Sequence, residues 1–443
     1  LGQRRKMAVV RLEMTDAISD VFQDYLCEKF NIQKHQIYIV KAPLKMKYAF
    51  SLESKLNDTL KKTLTYKPFT PCQTSDLIEG ESILRQVQKK DLLLSYPFES
   101  MDPFLQMLKE ASTDPYVISI KITIYRLASK AKIVQYLCEA AENGKDVTVL
   151  IELRARFDEQ NNIDWSERLE EAGCKIIYGF EGYKVHSKIC LITRREKNDV
   201  KYITQVGTGN YNENTAKMYT DLSLITSNEK IGKDAMEFFK NMGVGNLEGK
   251  YNDLWIAPIS LKQSILDSID DEIKKGEDGR IVIKINSITD IDIIKKLSEA
   301  SCAGVHIELV VRGICCILPG IEGKTENISV TSIVGRYLEH SRIYIFGKGE
   351  QEKMYISSAD FMTRNTERRV EIACPIYDYK VRAKINHIMD VIRSDNTKAR
   401  IMLSDGFYVR KNNSAIPINS QEMFMEEALK QVKTPKKTRN KFS

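Results

Sequence analysis

The sequence predicts a layered α/β protein built from two similar halves. Short β-branched runs alternate with stretches of helical length, a pattern typical of parallel strands covered by helices. This series occurs twice, and each copy carries a histidine followed two residues later by a lysine or an arginine. At 443 residues the chain is too long for one ordinary hydrophobic core, so we expect two or three domains.

The first segment carries two strands and a helix. We expect the strands at 9–12 and 37–40 and the helix at 16–30. Prolines at the end of this segment interrupt both kinds of regular structure and predict a domain boundary. The opening Leu1-Gly-Gln reads as mid-chain sequence, so we expect residues 1–68 to be the remainder of an upstream α/β domain.

The next segment alternates strands and helices with clear end signals. Asp102-Pro103 predicts a helix start, with Asp102 as the N-cap, and Asn143-Gly144 predicts a helix end. The strands are expected at 91–96, 117–124, 147–153 and 175–178, followed by one at His186. The helices are expected at 102–111, 130–142 and 165–172. In such sheets, groups at the carboxyl ends of the strands line the site.

The series then begins again. Residues 280–286 resemble 118–123, with the Ile-Lys-Ile of one copy matched to that of the other. A crossover helix is expected at 293–300. The strand after it ends in Arg312, seven residues after its first valine, just as Arg154 lies seven residues after its own. We therefore expect two repeated α/β domains, and the periodicity breaks between them near a tryptophan and a proline. The predicted boundaries are 69–254 for the first domain, 255–430 for the second and 431–443 for a basic, disordered tail.

Composition limits the class of protein. Hydrophobic residues make up 42 % and charged residues 29 %, and we find neither a signal peptide nor an apolar run long enough to cross a bilayer, so we expect a soluble globular protein. Nine cysteines without metal-ligand spacing indicate reduced thiols and a cytoplasmic location. The net charge of +7 permits a polyanionic partner without selecting one.

The candidate site begins at His186-Ser-Lys188. On a strand, residues two apart share a face, so the imidazole and the ammonium can enter one cavity. A neutral imidazole can attack a phosphoryl group while the lysine neutralises its oxygens. Asn210 follows Gly207-Thr-Gly209, where the backbone can approach a ligand closely, and its amide can add a phosphate contact. A single H-x-K is more often a strand-end histidine beside a solvated lysine.

The repeat changes that balance. His340-Ser-Arg342 corresponds to the first motif, and Ser357-Ser-Ala-Asp360 corresponds to Gly207-Thr-Gly-Asn210. Two halves packed about a pseudo-twofold axis can bring both histidines into one cleft, one as nucleophile and the other as acid or base. The remaining histidines, at 35, 306 and 387, lack this context and are expected to be structural.

These motifs resemble polyphosphate kinase of the long bacterial type, whose catalytic half consists of two phospholipase-D-like domains. The matching stretches lie between about 91 and 400. They are 120–126, 152–158, 184–188, 207–213, 218–223, 336–340 and 357–365.

The resemblance implies roles for individual residues. His186 matches the histidine that accepts the ATP γ-phosphoryl group and passes it to polyphosphate. His340 matches a second histidine that contacts the nucleotide phosphates and acts as acid or base. Tyr219 and Arg312 match ATP-binding positions. Glu371 matches a carboxylate near the site, which we expect to orient an imidazole.

The resemblance also implies a requirement for Mg²⁺. Arg126 and Arg156 match family positions at the magnesium site. Arginine has no lone pair to offer, so we expect both to hold magnesium-bound phosphates, with the ion arriving on ATP. From their spacing relative to the histidines, we also expect Lys188, Asn210 and Arg342 to contact phosphate.

Two other functions remain open. A phospholipase-D-type phosphodiesterase acting on lipid or nucleic acid would use the same histidines. However, its signature has an aspartate where this chain has Thr193, and a lysine where it has Arg342. A non-enzymatic binder of polyanions would not need two placed histidines. The family further implies ATP and polyphosphate rather than nucleic acid as ligands, a homo-oligomer (dimer or tetramer), and peripheral membrane association.

Overall fold

The computed structural model describes residues 8–127, 131–153, 159–197, 199–411 and 416–433. The chain divides into two compact units, Leu1–Pro68 and Phe69–Ser443. Within the described ranges, no helix combines the length and the apolar character needed to span a bilayer.

The first unit is a small α/β structure. Strands β1 (Leu12–Met14) and β2 (Ile37–Ile39) pair in parallel. Helix α1 spans Asp20–Phe30, and two shorter helices follow, α2 (Ala49–Leu52) and α3 (Asp58–Leu64). Helix α1 begins later than predicted because Ser19 accepts a hydrogen bond from the backbone of Phe22 and so acts as its N-cap.

The first half of the second unit contains eight strands and five helices among its described residues. The strands are β3 (Leu92–Tyr96), β4 (Val117–Ile124), β5 (Asp146–Ile151), β6 (Lys175–Tyr178), β7 (Lys184–Val185), β8 (Ile189–Glu196), β9 (Asp199–Gly207) and β10 (Tyr219–Thr226). The helices are α4 (Ile83–Val87), α5 (Asp102–Thr113), α6 (Lys132–Glu142), α7 (Glu159–Glu171) and α8 (Glu229–Gly243).

Most of these elements lie where the sequence predicts them. Strands β4 and β6 have the predicted bounds. Helix α7 begins at Glu159, before the predicted 165, because its first turns are too polar for an apolar period to reveal them. The predicted N-cap of α5 is wrong by one residue, since Met101 occupies the cap position and Asp102 lies in the first turn.

The second half contains ten strands and five helices within its described residues. The strands are β11 (Trp255–Ala257), β12 (Arg280–Ile285), β13 (His306–Val311), β14 (Ile328–Ile333), β15 (Leu338–Glu339), β16 (Arg342–Phe346), β17 (Lys353–Ser357), β18 (Arg369–Pro375), β19 (Ala399–Met402) and β20 (Tyr408–Arg410). The helices are α9 (Leu261–Ile273), α10 (Ile291–Cys302), α11 (Thr363–Glu367), α12 (Tyr379–Ser394) and α13 (Ser420–Lys433).

Seven strands of each half share one sheet topology, and the second sheet adds β19 and β20 beyond β14. The shared topology confirms the predicted α/β class and the repeat. In the first sheet β4, β5 and β6 are parallel, and β8, β9, β10 and β3 continue antiparallel from β4. In the second sheet β12, β13 and β14 are parallel, and β16, β17, β18 and β11 continue in the same manner.

Each half gives one short strand to the other half. Strand β7, just before His186, pairs in parallel with β18 of the second sheet. Strand β15, just before His340, pairs in parallel with β10 of the first sheet. This exchange places His186 beside β18 and His340 beside β10, each a strand of the opposite half.

The repeat has a different register from the one that the sequence suggests. Ile122 pairs with Cys190, four residues after His186, and Ile283 pairs with Tyr344, four residues after His340. Lys284 therefore corresponds to Thr123. The matched Ile-Lys-Ile predicts Lys121 instead, which is wrong by two residues. A shift of two keeps every side chain on its face of a strand, so the alternation of residues cannot distinguish the two registers.

Among the described residues, three apolar clusters form the core. One lies under helices α4 to α6 and another under α9 and α10. The third contains α8, α12, α13 and residues of both sheets, including Leu191, Leu224, Ile343 and Ile372. It packs the two halves against each other and thereby fixes the positions of the exchanged strands.

Candidate active site

Both histidines lie on short segments that run from one half to the other. The backbone N–H groups of His186 and Ser187 donate to the carbonyl oxygen of Val370, at 2.9 and 2.8 Å. The backbone N–H of His340 donates to Thr220 Oγ1 at 3.2 Å. Both imidazoles are therefore held at the junction between the two sheets.

The imidazole of His186 is oriented by a buried carboxylate. His186 Nδ1 lies 2.8 Å from Glu371 Oε2. Ser358 Oγ also donates to this oxygen, and Asn365 Nδ2 donates to Oε1 at 2.6 Å. An ionised carboxylate only accepts hydrogen bonds, so the proton lies on Nδ1 and the lone pair on Nε2. The ring of Tyr125 packs edge-on against the imidazole at 4.9 Å.

The surroundings favour the neutral form of this imidazole. Burial, followed by the positive charges of Lys188 and Arg369, lowers the pKa of His186 well below its ordinary 6.5. Burial also raises the pKa of Glu371, although Lys188 and Arg369 oppose the shift. His186 thus presents an unprotonated Nε2 at neutral pH.

His340, in the second half, is likewise oriented by a carboxylate, which here comes from the first half. Its Nδ1 lies 2.9 Å from both carboxylate oxygens of Asp221, and Thr208 Oγ1 donates to Asp221 Oδ1 at 2.6 Å. Burial lowers the pKa of His340, and Asp221 partly offsets that effect. Burial would raise the pKa of Asp221, but His340, Thr208 and Arg342 together lower it. Asp221 is therefore the ionised partner that orients the second imidazole.

Sequence reasoning did not assign Asp221 a role. The exchanged strands make it the counterpart of Glu371: β15 pairs with Tyr219 and Thr220 immediately before Asp221, and β7 pairs with Arg369 and Val370 immediately before Glu371. Aligning these two strands as parts of the repeat would have identified it.

The two cations beside the histidines have different surroundings. Lys188 is 1 % exposed, and its Nζ donates to the carbonyl oxygen of His186. Arg342 binds Asp360 through two hydrogen bonds of 3.2 and 3.1 Å, and its Nη1 donates to the carbonyl oxygens of Thr208 and His340 at 3.1 and 3.0 Å. Protein groups therefore use most of the donors of Arg342, which bridges the two halves.

The turn at 207–210 lies against Asp221 and Arg342. Asn210 Oδ1 is buried and has no hydrogen-bond partner among the described residues. Beside it, a Cβ on Gly209 would lie 2.1 Å from Asp221 Oδ2, so only glycine leaves room for this carboxylate.

The predicted nucleotide-binding residues lie on the His340 side. The ring of Tyr219 is 5.2 Å from that of His340. Arg312 Nε donates to Asn286 Oδ1 at 3.2 Å, and burial lowers the pKa of Arg312. Arg126 lies 5.4 Å from the ring of Tyr125, on the His186 side. Arg156 falls outside the described residues.

A buried polar network supports the segment before His340. Lys284 Nζ lies 3.0 Å from Glu339 Oε2 and donates to Ser341 Oγ at 2.8 Å. Glu339 also accepts from Thr220 Oγ1 at 2.9 Å and from Gln421 Nε2 at 2.7 Å. Gln421 opens helix α13, so the end of the described chain supports the site. No pattern in the sequence predicts this connection.

The described residues do not form a protein-only magnesium site. Across the described ranges, no three His, Cys, Asp or Glu side chains lie close enough to hold a metal ion. The carboxylates beside the two histidines, Glu371 and Asp221, already accept hydrogen bonds from protein groups. We therefore derive no step through a metal held by this chain.

Three family models match the chain. They are polyphosphate kinase middle domain at 1–52, polyphosphate kinase C-terminal domain 1 at 82–246 and polyphosphate kinase C-terminal domain 2 at 254–421.

Individual relatives agree with these models. A polyphosphate kinase of Staphylococcus haemolyticus is 43 % identical over 97 % of this chain and 60 % of its own length. One of Bacillus anthracis is 44 % identical over 95 % of this chain and 60 % of its own length. The chain thus spans about three-fifths of these curated relatives. The crystal structure of polyphosphate kinase from Porphyromonas gingivalis superposes with a TM-score of 0.80 at 33 % identity, covering 96 % of this chain and 65 % of that one. The chain belongs to the polyphosphate kinase family.

Proposed function

We propose that this chain contains the catalytic part of an ATP–polyphosphate phosphotransferase that works through a phosphohistidine at His186. The observation that carries the proposal is the 2.8 Å contact between His186 Nδ1 and Glu371, which leaves Nε2 as the nucleophile. Membership of the family supports the substrates, ATP and polyphosphate.

In the first step, the lone pair of His186 Nε2 forms a bond to the γ-phosphorus of ATP. The bond between that phosphorus and the β,γ-bridging oxygen breaks, and ADP leaves with the electron pair. Positive charge develops on the imidazole during this attack, and Glu371 stabilises it through Nδ1–H.

In the second step, a terminal oxygen of polyphosphate attacks the phosphohistidine. The N–P bond breaks, its electron pair returns to Nε2, and the polymer is one phosphate longer. The reverse sequence makes ATP from ADP and polyphosphate. Because His186 is neutral before and after each cycle, no net proton transfer to its ring is required.

The other site residues have supporting roles in this proposal. His340, oriented by Asp221, contacts the ATP phosphates and acts as acid or base through Nε2. Tyr219 and Arg312 bind the nucleotide. The ring contact between Tyr219 and His340 supports this role, as does the hydrogen bond from Arg312 to Asn286, which in turn donates to the carbonyl oxygen of His340. Lys188 and Asn210 contact the transferred phosphoryl group.

Further phosphate contacts belong to the same proposal. Arg126 holds phosphates on the His186 side, and Arg156 is proposed for the same role from the family resemblance alone. Arg342 acts mainly as a bridge that positions His340, with its remaining N–H available to phosphate. Magnesium is proposed to enter with the nucleotide.

The cellular setting is proposed from the same resemblance. We infer a cytoplasmic enzyme that assembles as a dimer or tetramer and associates peripherally with membranes. Size-exclusion chromatography with light scattering would test the assembly, and a single-chain mass would contradict it.

Phosphoenzyme trapping tests the mechanism. The purified protein is incubated with γ-labelled ATP and magnesium, and the label is tested for acid lability and base stability. We expect the label on His186 and its loss in His186→Ala. Label in that variant equal to wild type would refute the phosphohistidine. Label obtained only from a diester substrate would instead indicate the phosphodiesterase alternative.

A further inference from the structure

The two half-sites have the same arrangement but differ in one charge. Lys188 corresponds to Arg342, each two residues after its histidine. Asn210 corresponds to Asp360, each three residues after the end of an equivalent strand, β9 or β17. Further arginines lie on both sides, Arg126 and Arg369 with His186 and Arg312 with His340.

On the His340 side the cation is neutralised. Asp360 is 6 % exposed and binds Arg342 through both of its oxygens, at 3.2 and 3.1 Å. It also accepts the backbone N–H of Asn286 at 2.8 Å. Burial would raise the pKa of Asp360, but Arg342 and this N–H lower it to about 2, so the carboxylate stays ionised.

On the His186 side the cation has no such partner. Among the residues that the structure describes, no carboxylate oxygen lies within 4 Å of Lys188 Nζ. Asn210 supplies an uncharged amide where the other half has Asp360, and its buried Oδ1 is unpaired. Burial lowers the pKa of Lys188, although the charge of Glu371 opposes the shift. An anion that arrives beside Nζ would raise this pKa and so favour the ammonium form.

We propose that the difference between Asn210 and Asp360 determines which of the two histidines accepts the phosphoryl group. This inference rests on the proposed function. A bound phosphoryl group carries close to two negative charges at neutral pH. Beside His186 it meets Lys188 and an amide, whereas beside His340 it meets an arginine already neutralised by Asp360. Transfer to either Nε2 forms one N–P bond, breaks the β,γ P–O bond and releases ADP.

Three substitutions test the assignment. Asn210→Asp adds the missing charge, and Asn210→Leu removes the amide at similar size without adding charge. Asp360→Asn removes the charge from the other half. Each purified variant is labelled with γ-labelled ATP and magnesium, and peptide mass spectrometry under alkaline conditions quantifies phosphate on His186 and His340. Circular dichroism confirms that each variant is folded.

We expect Asn210→Asp to reduce the label on His186 at least about tenfold more than Asn210→Leu does, because only the first adds like charge. Asp360→Asn should raise the share of label on His340. Equal losses in the two Asn210 variants, with no label moving to His340 in Asp360→Asn, would overturn the inference. If wild type itself carries no label on His186, the proposed function fails. Label there that is unaffected by Asn210→Asp overturns only this inference.

Discussion

Replacing Glu371 with glutamine should slow phosphoenzyme formation without unfolding the protein. The carbonyl of the glutamine can still accept from His186 Nδ1, now 2.8 Å from the carboxylate. Its new NH₂ group would face Asn365, whose Oδ1 has no partner among the described residues and can accept after a side-chain flip. The substitution therefore removes charge while retaining the hydrogen-bonded frame.

The size of the effect follows from the charge that develops on the attacking imidazole. A hydrogen bond to a charged group contributes about 1.5–3 kcal/mol and a neutral one about 0.5–1.5 kcal/mol, so the bond retained by glutamine is weaker by about 1–1.5 kcal/mol. Losing that amount only in the transition state corresponds to a rate decrease of ~5- to 13-fold. Rapid-quench measurement of label transferred from γ-labelled ATP in a single turnover gives this rate directly.

A matched control is Glu308→Gln, the same chemical change on β13, where Glu308 pairs with Arg393 at 3.0 Å outside the site. It should leave the rate unchanged. If Glu371→Gln is folded and forms phosphoenzyme within about twofold of wild type, the carboxylate does not stabilise the imidazole and the reasoning is wrong.

Three further predictions concern the same site. Gly209→Ala should displace the Asp221 carboxylate, because the new Cβ would lie 2.1 Å from Oδ2. Nucleotide binding measured by calorimetry should then weaken. Unchanged binding would count against a nucleotide site beside His340 and Asp221. Lys284→Ala should leave buried Glu339 unpaired and lower the free energy of unfolding in urea by about 3–5 kcal/mol, whereas Lys284→Met combined with Glu339→Gln should recover part of the loss. Because burial lowers the pKa of His186 below 6.5, the neutral imidazole persists as the pH falls, and phosphoenzyme formation should stay constant from about pH 7.5 to about pH 6. A histidine of ordinary pKa would lose about fourfold over that window.

Much of the fold was predictable because its signals are local. Strand β4 is a β-branched run whose bounds the sequence shows directly, and the end of α6 is marked by Asn143-Gly144. The repeat was also visible, since His186 and His340 stand in matching motifs. What the sequence could not supply was the pairing of distant strands, which depends on packing between the halves.

That missing information affected the site more than the fold. Glu371 was predicted beside an imidazole, but nothing local indicates which histidine it meets or that Asp221 serves the other. Lys284 was matched to the wrong residue because strands repeat every two positions. Gln421 lies about eighty residues from Glu339 in the chain, a separation over which sequence patterns carry no contact information.

The exchange of β7 and β15 has a consequence for how activity is lost. Each imidazole is held by the opposite half, so any motion that separates the two sheets releases both histidines from their carboxylates in the same event. Partial opening cannot leave one histidine bound to its carboxylate while the other histidine loses its own. Catalytic competence should therefore disappear as a single cooperative unit, earlier than either sheet loses its own strands.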